Sequence, residues 1–155
     1  MKPLLPSTQL FSCCELEMHY KRALFKTMIH IRGSKEANHR FRQFIDLNKI
    51  NHKEFFWVMC LTNANRVTVI SEIGSGSTKG VHMNTKEVFQ NAILSNSAAI
   101  IIAHNHPSGI LKPSETDKNY TQKLIPLCEV LDITLLDHLI LTQEDYYSFS
   151  DNHIL

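Results

Sequence analysis

The chain has 155 residues, 43% hydrophobic and 20% charged, which suits one globular domain with an ordinary core and excludes the disordered and fibrous classes. Its net charge is +1, unevenly spread: residues 21–53 carry nine Lys/Arg against Glu36 and Asp46, whereas residues 124–155 carry six acids and no Lys or Arg. This permits an acidic partner without requiring one, and no stretch approaches the ~20 apolar residues of a membrane span.

Residues 1–33 read as a lead-in with edge strands. Met1 to Gln9 holds two prolines and no useful apolar run, which argues against a signal peptide. Cys13, Cys14, Cys60 and Cys128 show neither C-x-x-C spacing nor a disulfide framework, as expected of a cytoplasmic protein. Leu16, Met18 and Tyr20 alternate with polar neighbours like a half-buried edge strand, and a second extended stretch is expected around Leu24 to Ile31.

The main domain is expected over residues 34–155. After Gly33-Ser34, the spacing of Ala37, Phe41, Phe44 and Ile45 predicts an amphipathic helix whose outer face, His39, Arg40, Arg42 and Gln43, reads as solvated. Glu54 to Leu61 is an aromatic and aliphatic run ended by the turn Asn63-Ala64-Asn65. With Arg66 to Ile73 it predicts a hairpin, Glu54 standing at the mouth of its first strand. Gly74 to Gly80 lacks the G-x-x-x-x-G-K-[ST] spacing of a phosphate-binding loop and reads as a flexible connection. A helix follows through Val88, Phe89, Ala92 and Ile93, and then Ser97 to Ala103, short and β-branched, predicts a strand buried on both faces. Tyr120, Leu124, Leu127 and Leu131 mark a third helix that Pro126 should kink or split. Ile133 to Leu141 is another strand, and Tyr146 to Phe149 closes the chain. The alternation defines an α/β fold, a single mixed β-sheet with packed helices.

At the end of the buried strand stand His104-Asn105-His106-Pro107. Residues i and i+2 of a strand point to one side, so both imidazoles can face one point. Pro107, Gly109 and Pro113 turn the chain back, so Asp117 can return to them. Ser114-x-x-Asp117 also looks like a helix start with a capping box. Two His and one Asp leave the fourth position of a tetrahedral zinc ion for water, the catalytic arrangement. Such a site needs a carboxylate that is not a ligand, and Glu54, Glu72, Glu87 and Glu115 are the candidates that spacing leaves open.

His104-x-His106-Pro107, six residues, then Ser114-x-x-Asp117 resembles the full JAMM motif of the JAB/MPN metalloprotease superfamily, and the run His104 to Gly109 followed by Pro113-Ser114 resembles its RadC-like branch. Glu54 to Trp57, Thr85 to Ala92, Leu136-Asp137-His138 and Tyr147-Ser148-Phe149 extend the likeness over about residues 35–152. The resemblance implies an MPN/JAB (cytidine-deaminase-like) architecture and a zinc-dependent hydrolase acting on a peptide or protein substrate. It implies one catalytic zinc on His104, His106 and Asp117, Glu54 as general acid/base and Ser114 steadying the tetrahedral intermediate.

The family's usual helix-hairpin-helix region would need more room than the lead-in offers, so its DNA-repair association is not expected to carry over. The added loops of JAMM deubiquitinases are not recognisable either. His82 is left without a role, and His138 beside Asp137 either orients a ligand from behind or is a satisfied core-edge histidine, the second being the commoner case. The rival class is a DNA-repair or mobile-element module that binds nucleic acid through residues 21–53 without hydrolysis, with binding that weakens steeply with salt.

Overall fold

The computed structural model describes residues 20–78 and 80–155. Five strands form one sheet: β1 (Phe55–Leu61), β2 (Val67–Ser75), β3 (Ala99–Asn105), β4 (Thr134–Leu141) and β5 (Tyr146–Ser148), in the order β2-β1-β3-β4-β5. Only the β3–β4 pair is parallel, so the sheet is mixed. Parallel neighbours need a crossover. Here it is α3 (Glu115–Val130), which starts within ten residues of the end of β3 and therefore begins at the same sheet edge as the histidines.

Strand alternation divides the core in two. Phe55, Trp57, Met59, Ile101 and Ala103 pack against Ala37 and Phe41 of α1 (Ser34–Phe44). Phe56, Val58, Ile100 and Ile102 face Val88, Phe89 and Ala92 of α2 (Thr85–Leu94), together with Leu124 and Cys128 of α3. β1 and β3 are fully buried along their length because helices cover both faces of the central sheet. The apolar runs at residues 54–61 and 97–103 reflect that double burial.

Four readings change in detail. The strand expected at Leu16 to Tyr20 lies outside the described residues except for Tyr20, which is not in a strand. Leu24 to Ile31 is only partly extended: Phe25–Thr27 makes a 3-10 turn, and the chain then pairs at His30 with Arg66. Pro126 lies inside α3 without splitting it, because Leu124 and Cys128 on either side are buried against the sheet and hold the helix through the missing hydrogen bond. Arg42 does not belong to a solvated face, since its guanidinium donates to the carbonyls of Thr142, Gln143 and Asp145 and clasps α1 to the β4–β5 turn.

The segment read as a flexible connection is also more ordered than its glycines suggest. β2 runs on to Ser75, Gly76 N–H donates to the Glu54 carbonyl at 2.8 Å, and Glu54 N–H donates to Ser77 at 3.0 Å. A Cβ on Gly76 would come within 2.0 Å of the Gly80 carbonyl oxygen. Only glycine permits that approach. The loop therefore frames Glu54 on its backbone side.

Candidate metal centre

β3 carries His104 on the face of α2 and α3, opposite Phe56 of β1. Two residues beyond that pair stand Glu54 on one segment and His106 on the other. His106 is fixed just beyond the strand by its N–H, which donates to the Leu141 carbonyl at 2.9 Å. Asp117 arrives from the first turn of α3, where Ser114 is the N-cap: Ser114 Oγ accepts from Asp117 N–H at 3.1 Å, and Asp117 Oδ2 accepts from Ser114 N–H at 2.7 Å. The cap that starts the helix thus also fixes the carboxylate. Its outer lone pairs remain free for the histidines.

His104 Nε2 lies 3.0 Å from His106 Nε2 and 3.2 Å from Asp117 Oδ1, and His106 Nε2 lies 3.6 Å from Asp117 Oδ2. These three residues form a group that could hold a metal ion. His106 Nδ1 is 2.6 Å from the Ile110 carbonyl, which can only accept, so Nδ1 carries the proton and Nε2 faces the cluster. His104 uses Nδ1 on His138, leaving its Nε2 for the same point. Electron-pair donors converging in this way can share a proton or hold a cation. Their spacing approaches the ~3.3 Å edge of a tetrahedron with zinc bonds of about 2.0–2.1 Å, so the residues fit a small divalent ion.

The electrostatics follow the same logic. Burial would raise the Asp117 carboxyl, but His104, His106 and Ser114 together hold it well below the usual carboxylate range. Burial would lower the His106 imidazole, but Asp117 and the Ile110 carbonyl outweigh it and leave the pKa raised. A metal bound here would have to displace a proton from His106 over a window that begins above the ordinary histidine value. Zinc affinity is expected to fall by about tenfold per pH unit below that window, as measured by chelator competition at about pH 8 and about pH 6. A flat profile would mean that His106 is not displaced by the ion.

Of the four carboxylates, only Glu54 lines the cleft of the cluster. It lines one cleft of about 350 Å³ with His106, Ser114 and Asp117. Glu72 lines a different cavity with Phe55 and Trp57, Glu87 accepts from Asn84, and Glu115 pairs with Lys118. Burial pushes the Glu54 carboxyl up, against the pull of His104, His106 and the Val81 N–H, and the result lies above the ordinary glutamate value. Ser114 is beside the ligands, with its hydroxyl donating to Asp117 Oδ2 at 2.6 Å. His82 is exposed.

Two further residues build the centre. Asn105 points to the opposite face from His104 and is fully buried: its Oδ1 accepts from Phe55 N–H at 2.6 Å, and its amide donates to the Ile50 and Lys53 carbonyls at 2.6 and 2.8 Å. The residue between the two histidines therefore ties their strand to the segment that presents Glu54. A polar residue ending a wholly apolar strand was the available signal. Asn105→Ala would leave two buried backbone groups and one half-buried carbonyl unpaired and is expected to cost about 3 kcal/mol in denaturant unfolding. A loss below about 1 kcal/mol would mean that water replaces the amide.

Both readings of His138 find support: its ring is satisfied in the core, and it stands directly behind His104. It is fully buried and hydrogen-bonded to His104 at 2.9 Å, while the neighbouring Asp137 carboxylate binds Ser148 and the backbone of Ser150 instead of the His138 ring.

A mixed sheet with helices on both faces and a His-His-Asp cluster at the end of its central strand defines a JAB/MPN-type domain. A protein-family model described as RadC-like JAB domain matches residues 31–154, and the chain belongs to that family. It is 39% identical over 108 residues to a UPF0758 protein of Flavobacterium johnsoniae, covering 70% of this chain and 47% of the relative. A UPF0758 protein of Pasteurella multocida is 32% identical over 147 residues, 95% of this chain and 64% of the relative. The chain thus spans about half to just under two thirds of these relatives. Among the described residues, no helix is long and apolar enough to cross a membrane.

Proposed function

We propose that the domain is a zinc-dependent hydrolase of the JAMM type that cleaves a peptide or amide bond in a cytoplasmic peptide or protein. The observation that carries this reading is the convergence of two imidazole nitrogens and a carboxylate at 3.0–3.6 Å, with Glu54 lining the same cleft. Zinc held by His104, His106 and Asp117 would supply a Lewis acid for the scissile carbonyl and lower the pKa of an attacking water from ~15.7 towards ~7.

The remaining work falls to the chain. Glu54, raised above the ordinary glutamate value and lining the same cleft as His106, accepts the proton of the water and returns it to the leaving amine. The Ser114 hydroxyl, which donates to Asp117 Oδ2 in the resting site, would turn to donate to the developing oxyanion. Val81, Met83 and Ile110 line the cleft with apolar surface against which an extended substrate can lie.

The test is metal analysis of protein purified without chelators, followed by comparison of cleavage products from a peptide library with and without a stripping chelator. Near-stoichiometric zinc and products that disappear on stripping are expected. A metal-free chain that cannot be reloaded would overturn the proposal.

A further inference from the structure

Resting on the metal reading above, we infer that His138 and Thr121 are a positioning pair that fixes which ring nitrogen of His104 meets the metal. Neither residue touches the cluster's centre. His138 Nε2 lies 2.9 Å from His104 Nδ1, His138 Nδ1 lies 2.7 Å from Thr121 Oγ1, and Thr121 Oγ1 lies 2.8 Å from the Asp117 carbonyl oxygen. Both residues are fully buried, and the His138 ring stacks on Phe149 with centroids 4.4 Å apart.

The direction of every bond follows from the one group that has no choice. A carbonyl oxygen only accepts, so the Thr121 hydroxyl donates to Asp117 and its oxygen is left to accept. His138 must then carry its proton on Nδ1, which leaves Nε2 as an acceptor. His104 accordingly carries its proton on Nδ1 and presents Nε2 to the cluster. The chain of bonds begins at the backbone of one ligand and ends at the ring of another, passing through α3, β4 and β3. It leaves His104 only one tautomer suited to binding.

Ligand histidines are usually held by a carboxylate or a backbone carbonyl, and loss of such a partner weakens metal binding about 10- to 100-fold. Here the partner is a second imidazole, which can itself change tautomer, so its own orientation has to be fixed. Thr121 supplies that. With Val at position 121, His138 loses the acceptor for Nδ1–H and can shift its proton to Nε2. That proton would be directed at His104 Nδ1 and would drive the His104 proton onto Nε2, where it blocks the metal.

The test uses protein labelled with nitrogen-15 in histidine, together with zinc affinity from chelator competition. In the wild type, His138 is expected with its proton on Nδ1, both metal-free and loaded, and His104 with Nε2 on the zinc. Thr121→Val is expected to weaken zinc binding about tenfold and His138→Phe by up to about 100-fold, while Thr121→Ser keeps wild-type affinity. A merely structural role would lower thermal stability without separating Val from Ser at position 121 in zinc affinity. The inference is overturned if His138 carries its proton on Nε2, or if folded Thr121→Val binds zinc like the wild type. Should His138→Phe not fold, the position 121 pair and the tautomer still decide. A wild-type chain that takes up no zinc overturns the metal reading, whereas the His138 tautomer in that chain still tests the bond directions.

Discussion

His104→Ala is expected to lose zinc to well below a tenth of the wild-type content and, with it, all hydrolysis. Four-ligand structural zinc sites are worth about 10–16 kcal/mol, so one ligand of such a set carries roughly 3 kcal/mol, or about two orders of magnitude in affinity. His104 would be more than one ligand of three. It is 1% exposed, it is hydrogen-bonded through Nδ1 to His138 Nε2, and it accounts for the shortest approach in the cluster. Its removal leaves His138 Nε2 buried without a partner, which costs about 1–3 kcal/mol of stability. Elemental analysis and thermal unfolding of the same preparation separate the two effects. Full zinc in a folded His104→Ala protein would remove His104 from the ligand set.

The parts of this centre that could be read in the chain are those set by local geometry. His104 and His106 share a side because a strand has a period of two, and Ser114 and Asp117 meet because a helix start brings N-cap and N3 together. Glu54 is different. Its place depends on the β1–β3 register, which pairs residues about fifty apart, and nothing local to Glu54 distinguishes it from Glu72, Glu87 or Glu115. Only the resemblance separated them in the sequence, and the sheet does so physically. Thr121 stands one helical turn beyond Asp117, on the same side of α3, so its spacing was visible. Its use was not, because the acceptor relation to His138 requires β4 to lie beside β3.

The same division explains the fold. Buried strands and amphipathic helices follow from periodicity, whereas the elements read differently are those where tertiary contacts override a local preference. Pro126 disfavours a helix by about 3 kcal/mol, yet the packed neighbours Leu124 and Cys128 keep α3 whole. Arg42 looked solvated because three carbonyls from a distant turn satisfy it. Residues 74–80 looked slack because glycine is the residue of flexible loops, while here Gly76 permits the close approach of the Gly80 carbonyl beside the Glu54 backbone.

Glu54→Gln is expected to retain wild-type zinc while hydrolysis falls by about 10²- to 10⁴-fold, the range supplied by a positioned general acid/base. The amide keeps the size of the side chain and can still occupy the cleft, but it cannot take a proton from water. The pH dependence adds a second readout. Because burial raises the Glu54 carboxyl, its basic form is lost as pH falls through that raised value, and the acidic limb of the wild-type rate should begin above the ordinary glutamate pKa. The residual rate of Glu54→Gln should lack this limb. Stability should move the other way: a carboxyl whose folded pKa is raised opposes folding when ionised, so in the metal-free chain the neutral amide is expected to unfold at the same temperature as wild type or slightly above. Lost activity with zinc and stability intact assigns the proton transfer to Glu54, whereas hydrolysis at the wild-type rate by Glu54→Gln would place the base elsewhere.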